Sequence, residues 1–89
     1  MIDDKLIKVY GTRWCPDSRR AERLFRSKNI SFEFVDIDEN ETGRRYVEQI
    51  NNGFRSVPTI VFPNGFIIVE PSDQQLSQVI DKNYSIISE

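Results

Sequence analysis

The sequence YGTRWCPDSRRAERLF, residues 10–25, predicts a strand that turns directly into a helix. The segment 5–11 alternates apolar and polar residues and ends in glycine, as a strand does. Pro16 suits the first helical position, because its missing N–H has no partner within a helix there. The helix is predicted over 16–29, with a charged outer face. Its apolar face consists of Ala21, Leu24 and Phe25.

The rest of the chain continues this alternation of strands and helices. The predicted elements are a strand at 31–38, a helix at 40–51 with a left-handed end at 51–53, a hairpin of strands 58–62 and 66–70, and a helix at 71–87. A strand–helix–strand unit makes the first two strands parallel, with a right-handed crossover. The hairpin adds an antiparallel pair. We therefore expect an α/β fold, with helices on both faces of a four-stranded mixed sheet.

Length, charge and cysteine content limit the possible functions. The 89 residues predict a single domain, 1–89, and the net charge of −2 gives no general attraction to nucleic acid or anionic membranes. The start of the chain lacks the pattern of a signal peptide, and no apolar run approaches the roughly 20 residues of a membrane span. One cysteine forms no internal disulfide, which favours a reducing, cytoplasmic setting. Basic residues nevertheless gather near it: Arg13, Arg19, Arg20, Arg23 and Arg26.

Cys15 is the candidate nucleophile. At a strand-to-helix junction, the free amides of the first helical turn and the helix dipole favour thiolate over thiol, and thiolate is the reactive form. Arg13 adds a positive charge nearby, whereas Asp17 opposes an anion. The alternative is a small buried apolar residue. The flanking Trp14 and Pro16 favour the nucleophile.

The stretch SVPT, residues 56–59, is the second informative motif. Pro58 opens a predicted strand, a position where proline is tolerated. An X–Pro bond is cis at a cost of only about 0.5–1 kcal/mol. A cis bond turns the backbone groups of Val57 toward an extended, peptide-like ligand. An ordinary trans proline at the start of a strand is the alternative.

The motifs RWCPDS and RSVPT, followed by TIVFPNGFIIVEPSDQQL, resemble the glutaredoxins over nearly the whole chain. The resemblance is greatest to a bacterial glutaredoxin-like and mycoredoxin-like branch. It implies a thioredoxin-like fold of order β-α-β-α-β-β-α. It also implies a thiol–disulfide oxidoreductase that serves cell redox homeostasis, in which Cys15 is the nucleophile and Pro58 is a cis-proline facing it.

The same resemblance implies where a small thiol binds. The main chain of Val57 would hold the cysteinyl part of glutathione or a similar thiol, and Arg55 would contact the glycyl carboxylate. Ser72 and Asp73, at the start of the last helix, would receive the γ-glutamyl group. Each residue also has a simpler explanation. Arg55 fits a solvated loop charge, and Ser72 and Asp73 suit helix capping.

The chain departs from the family pattern in three places. Ser18 stands where a resolving cysteine is expected, either as the native residue or as an engineered replacement. Thr12 stands where relatives often carry lysine, with Arg13 beside it as a possible substitute. No Gly-Gly pair precedes Ser72. The last two departures leave glutathione, another small thiol or a protein as the reductant.

A monothiol mechanism is therefore expected. The Cys15 thiolate would take the small thiol from a mixed disulfide with a protein, and a second small thiol would regenerate it. The expected partners are thiolated or disulfide-bearing proteins and a small thiol, with no nucleic acid, membrane, metal or tightly bound cofactor, and the chain is expected to be a monomer. Two alternatives are an iron–sulfur carrier, which the Pro16-Asp17 pair disfavours, and a non-catalytic thioredoxin-fold binding module.

Overall fold

The computed structural model describes residues 6–84, and this range contains the strands and helices in the predicted order. The elements are β1 (Ile7–Gly11), α1 (Pro16–Ser27), β2 (Phe32–Asp36), α2 (Glu41–Ile50), β3 (Thr59–Val61), β4 (Ile67–Val69) and α3 (Asp73–Tyr84). Lys5 and residues 85–87, which the sequence assigned to the first strand and the last helix, lie outside the described residues. No helix within 6–84 is both long and apolar enough to span a membrane.

The four strands form the mixed sheet that the sequence predicts, and their order in the structure is β2-β1-β3-β4. β1 pairs in parallel with β2, and α1 makes the crossover between them. β3 runs antiparallel to both β1 and β4. Val9, at the centre of β1, lies opposite Phe34 on one side and Ile60 on the other. β1 is therefore the central strand on which the other elements assemble.

One face of the sheet carries the main hydrophobic core, because α1 and α3 both pack there. The buried members of this core are Ile7, Val9, Ala21, Phe25, Ile60, Phe62, Leu76 and Ile80. Phe25 is fully buried, and its ring centroid lies 5.5 Å from that of Phe32. Burying a side chain of this size contributes roughly 1.5–3 kcal/mol, so Phe25 is one of the larger single contributions to the stability of this face.

The opposite face of the sheet is covered by α2. The Tyr10 and Tyr46 rings meet there with centroids 5.1 Å apart. A Cβ atom on Gly43 would lie 2.7 Å from Cγ1 of Val35, which is closer than carbon atoms pack. Glycine has a low helix propensity, so Gly43 weakens α2. Its missing side chain is nevertheless what lets α2 approach the sheet. Helices thus lie on both faces, as predicted.

The second strand ends earlier than the sequence indicates. β2 stops at Asp36, two residues short of the predicted end at 38. The Ile37 amide still bonds the Gly11 carbonyl at 3.0 Å, but the Asn40 amide turns back to the Asp36 carbonyl at 2.9 Å. The Asn40 side chain then caps α2 by accepting a 2.8 Å hydrogen bond from the Gly43 amide. Capping favours the early turn over two more residues of strand.

The other boundaries are close to the predicted ones. α1 ends at Ser27 rather than at 29, because Asn29 has a left-handed φ of 57°. The predicted left-handed end of α2 is confirmed by positive φ values at Asn52 and Gly53, of 55° and 93°. The hairpin strands are shorter than predicted, and the Phe62 amide bonds the Phe66 carbonyl at 2.8 Å to close the turn.

We expect Phe25→Ala to lower the free energy of unfolding by about 3–5 kcal/mol, because it leaves a cavity between α1 and the sheet. Urea denaturation followed by tryptophan fluorescence measures this change. The matched control is Phe54→Ala. The Phe54 residue is 71% exposed, so its loss should change stability by no more than about 0.5 kcal/mol. Equal effects of the two substitutions would contradict the assignment of the core.

Tyr10 gives a second prediction, on pH. Burial raises the pKa of Tyr10 above its ordinary value of 10.0, and the nearby Tyr46 and Glu33 raise it further by charge repulsion. The folded state then keeps a proton that the unfolded chain releases. The stability contribution is present below pH 10 and is lost as the pH rises through the folded pKa. Above pH 10, Tyr10→Phe should therefore lose less stability than the parent chain in urea titrations. A difference that stays constant between pH 8 and 11 would refute this linkage.

Candidate active site

Cys15 is the residue immediately before α1. Its backbone is extended, with φ −82° and ψ 118°, and its side chain accepts no capping hydrogen bond. Its amide donates to the Thr12 carbonyl at 3.4 Å, and its carbonyl accepts from the Arg19 amide at 3.1 Å. The residue is a free cysteine, 9% exposed, and it lies outside the main hydrophobic core. Its position at the start of a helix thus distinguishes it from a core cysteine.

Ser18 lies under the turn that presents Cys15. The residue is fully buried, and its Oγ accepts a hydrogen bond from the Thr12 amide at 3.3 Å. A Cβ atom on Gly11 would collide with Oγ of Ser18 and come within 2.8 Å of its Cβ. Sequence reasoning treated Ser18 only as a missing cysteine and missed this packing role. The glycine at the end of the strand, seven positions earlier, was the available signal.

Arg13 points toward the end of β2. Its Nε lies 3.4 Å from Oδ2 of Asp36, and its guanidinium carbon lies 5.8 Å from the centroid of the Phe34 ring. The side chain is 75% exposed. Arg13 therefore shares its charge with a carboxylate rather than directing it at Cys15 alone. Thr12 beside it is buried, and its Oγ1 has no hydrogen-bond partner among the described residues.

Trp14 and Pro16 flank Cys15 on the surface. The indole N–H of Trp14 donates to Oδ2 of Asp38 at 2.7 Å, while the residue stays 71% exposed. The hydrogen bond restrains the indole in one orientation. Trp14 therefore presents an exposed apolar surface next to Cys15. Asp38 was not predicted to contribute to the site. Its only sequence signal is the run of acidic residues after β2.

Pro58 lies at the same end of the sheet as the Cys15 turn. Thr59 pairs with Tyr10 across the antiparallel strands, so the preceding Pro58 lies alongside Gly11, where β1 gives way to the turn. The Val57–Pro58 peptide bond is cis, and Pro58 is buried. The topology therefore places this proline and the start of α1 at the same end of the sheet.

The start of α3 lies at this end of the sheet too. The Glu70 amide bonds the Pro58 carbonyl at 2.8 Å, which ties the end of the hairpin to the proline. Oγ of Ser72 accepts from the Gln75 amide at 3.1 Å, and the Ser72 amide donates to Oε1 of Gln75 at 2.9 Å. This reciprocal pair is a capping box. The predicted capping role of Ser72 is confirmed, and its hydroxyl is already occupied by the cap.

Asp73 is joined to α1 by Arg20. Nε of Arg20 lies 3.1 Å from Oδ1 of Asp73, and its Nη2 lies 3.1 Å from Oδ1 of Asp17. The Nε contact is an ion pair without hydrogen-bond geometry. Arg20 thus connects the helix that follows Cys15 with the start of α3. Sequence reasoning did not single out this link, because no local pattern relates residues so far apart in the chain.

Arg55 is on the side of Trp14. Its Nε donates to Oε2 of Glu48 at 2.9 Å, and its side chain is 58% exposed. The loop after β2 and the first turn of α2 lie around it, and together with Arg55 they line an open pocket of about 310 Å³. Asp38, which holds Trp14, also lines this cavity. Among the described residues, no group of three or more Cys, Asp and Glu side chains is placed to hold a metal ion.

Comparisons with known proteins identify the family of this chain. The glutaredoxin family model matches residues 7–67. A Mycobacterium tuberculosis H37Rv protein whose name assigns it to the glutaredoxins is 29% identical over 76 residues, covering 85% of this chain and 90% of that protein. Mycoredoxin 1 of Corynebacterium glutamicum is 28% identical over 65 residues, covering 73% of this chain and 80% of the relative.

Solved structures share the fold. The thioredoxin-like protein BC3987 has a TM-score of 0.70 at 22% identity, covering 81% of this chain and 96% of that chain. The glutaredoxin of Archaeoglobus fulgidus has a TM-score of 0.67 at 24% identity, covering 83% and 84%. These similarities establish the thioredoxin-like fold. The family model covers most of the chain, so the protein belongs to the glutaredoxin family and is a glutaredoxin-like thiol oxidoreductase, related to the mycoredoxins.

Proposed function

We propose that this glutaredoxin reduces mixed disulfides between a small thiol and proteins by a monothiol mechanism through Cys15. The observation that carries the proposal is the setting of the only cysteine in the chain. It lies at the start of α1 with an uncapped side chain, and a serine stands three residues on. The thiolate of a cysteine, rather than its thiol, is the form that attacks a disulfide. Cys15 is 9% exposed, so only a small part of the residue is open to the substrate.

The reaction proceeds in two exchanges. The Cys15 thiolate attacks the small-thiol sulfur of the mixed disulfide, a new disulfide forms, and the protein thiolate leaves and takes up a proton. A second small thiol, as thiolate, then attacks the same small-thiol sulfur and releases Cys15. The protein cysteine is reduced, and two small thiols become one symmetrical disulfide. The hydroxyl of Ser18, native or engineered, forms no sulfur bond, so no internal resolving step competes.

The small thiol is proposed to bind across the end of the sheet where Cys15 and Pro58 lie. The main-chain groups of Val57, beside the cis bond, would pair with its cysteinyl part. Arg55 would contact a carboxylate at one end, and the start of α3 would hold the other end through Ser72 and Asp73. For this, the Ser72 amide would exchange its bond to the Gln75 side chain for one to the ligand. The meeting of these segments at one end of the sheet supports this placement.

The charged groups of this proposed binding site already have partners within the protein. Arg55 pairs with Glu48, and Asp73 pairs with Arg20. Exposed pairs of this kind contribute only about 0–1 kcal/mol, so a ligand can exchange with them at little cost. Glutathione and mycothiol are the two small thiols to compare. We propose that the protein acts as a monomer in the reducing cytoplasm and has no tightly bound cofactor.

The first test uses one peptide prepared as its glutathione and mycothiol mixed disulfides. Mass spectrometry of the protein after incubation should show a single small-thiol adduct on Cys15, and added small thiol should turn the peptide over. The Cys15→Ser variant should show neither result. Turnover that survives this substitution would exclude the proposed site. Failure of both peptides to react would exclude the proposed reaction with these two thiols.

Position 18 gives a separate prediction. Ser18→Cys places a thiol three residues after the nucleophile, so we expect the Cys15 adduct to be displaced and an internal disulfide to form. The adduct should then accumulate far less than in the parent chain. Ser18→Ala is the matched control, because it alters the buried contact with the Thr12 amide without adding sulfur. Circular dichroism checks that both variants fold. An adduct equally abundant in parent and Ser18→Cys chains would contradict the claim that the residue at position 18 decides whether an internal resolving step occurs.

A further inference from the structure

Arginines on the outer face of α1 form a surface that the proposed reaction does not use. Arg19, Arg23 and Arg26 are spaced by four and three residues, so they lie along one side of the helix. With Arg13 they form what we term the arginine row. These four residues and Glu22 line a cavity of about 360 Å³.

The arginine row has a net positive charge. Four guanidinium groups and the carboxylates of Glu22 and Asp36 give a local charge of +2, in a chain whose net charge is −2. Two of the arginines have weak partners: Arg26 lies 3.7 Å from Glu22, and Arg13 lies 3.4 Å from Asp36. Arg23 forms no ion pair with any residue of the range 6–84. The guanidinium groups of the row repel one another. An anionic ligand would reduce that repulsion, so the row favours binding an anion.

The row starts beside the nucleophile. The Arg19 amide bonds the Cys15 carbonyl at 3.1 Å, and the Arg19 guanidinium reaches the Arg13 carbonyl at 3.5 Å. From Arg19 to Arg26, the seven residues of helix extend about 10 Å along the axis. An extended peptide covers that distance with about three residues. A protein chain attached at the thiol therefore reaches the whole row with a short flanking segment.

We propose that the arginine row binds an acidic segment of the protein substrate, next to the cysteine that carries the mixed disulfide. This inference rests on the proposed function, because it supplies the protein side of that reaction. Guanidinium groups bind carboxylates through two parallel hydrogen bonds, and a row of them matches successive acidic side chains. The attraction raises the encounter rate and lowers KM, whereas the bond-making step at Cys15 is unchanged.

The test compares three peptides that differ only in charge. Each has one cysteine in mixed disulfide with the same small thiol, followed by a short spacer and a run of about three Glu, Gln or Lys residues. We expect kcat/KM to fall in the order Glu, Gln, Lys, through KM. About 0.5 M NaCl should remove most of the difference, because exposed charges are screened. Equal values for the three peptides would overturn the proposal.

The variant Arg23→Gln/Arg26→Gln locates the effect. It should lower kcat/KM for the Glu peptide by about five- to tenfold and leave the Gln peptide unchanged. Glutamine is a good helix former, so α1 should remain intact. The matched control is Arg45→Gln/Lys82→Gln, which removes two exposed positive charges from other helices. If the control variant lowers kcat/KM for the Glu peptide by the same factor, the arginine row is not the binding site.

A binding measurement separates this inference from the proposed function. Versions of the Glu and Gln peptides with serine in place of cysteine are titrated against the protein, with Trp14 fluorescence or peptide anisotropy as the signal. Tighter binding of the Glu peptide, lost in Arg23→Gln/Arg26→Gln, supports the docking surface even if no peptide is turned over. Equal binding of both peptides rejects it, whatever the activity.

Discussion

The contact between the end of β1 and the first turn of α1 determines where the thiol lies. Gly11 and Ser18 meet there without space for another carbon atom, and the Thr12 amide donates to the buried Ser18 hydroxyl. Leaving a buried amide without an acceptor costs about 1–3 kcal/mol, so the turn is held firmly in one arrangement. Cys15 is part of that turn. Its place at the start of the helix therefore depends on an adjacent contact that involves no sulfur.

Because β1 is the central strand, its end is also where the other parts of the site meet. Pro58 comes to this end of the sheet through the antiparallel pairing of β3 with β1, and α3 follows through the bond between Glu70 and Pro58. Arg20 of α1 reaches Asp73 at the start of α3, and it also pairs with Asp17 in its own helix. The small-thiol site that we propose would thus be assembled from segments that are far apart in the chain. Strand order is what brings these segments together.

Local patterns in the sequence were enough for the order of elements, the mixed sheet and the helix on each face. The period of the apolar residues and the placement of Pro16 and Gly53 record those features directly. The end of β2 was predicted two residues too late, because Ile37 and Asp38 look like strand residues until Asn40 caps the next helix. A capping bond competes with the strand, and periodicity does not measure that competition.

The position of Cys15 was predictable from the sequence, and the contacts of its neighbours were less so. A cysteine before a proline marks the start of a helix, and the structure has Cys15 there. Its role as nucleophile stays a prediction. The burial of Ser18, the hold of Asp38 on Trp14 and the link made by Arg20 all depend on contacts between separate segments. The roles of Arg55, Val57 and Asp73 in holding a thiol stay predictions.

The close approach of Gly11 and Ser18 also bears on how this chemistry can change in a lineage. The space beside Gly11 limits position 18 to short side chains. Serine and cysteine both meet that limit, they differ in one atom, and their codons can differ by a single base. Under the proposed monothiol mechanism, this single exchange would add an internal resolving thiol at a position where the turn already holds a short side chain.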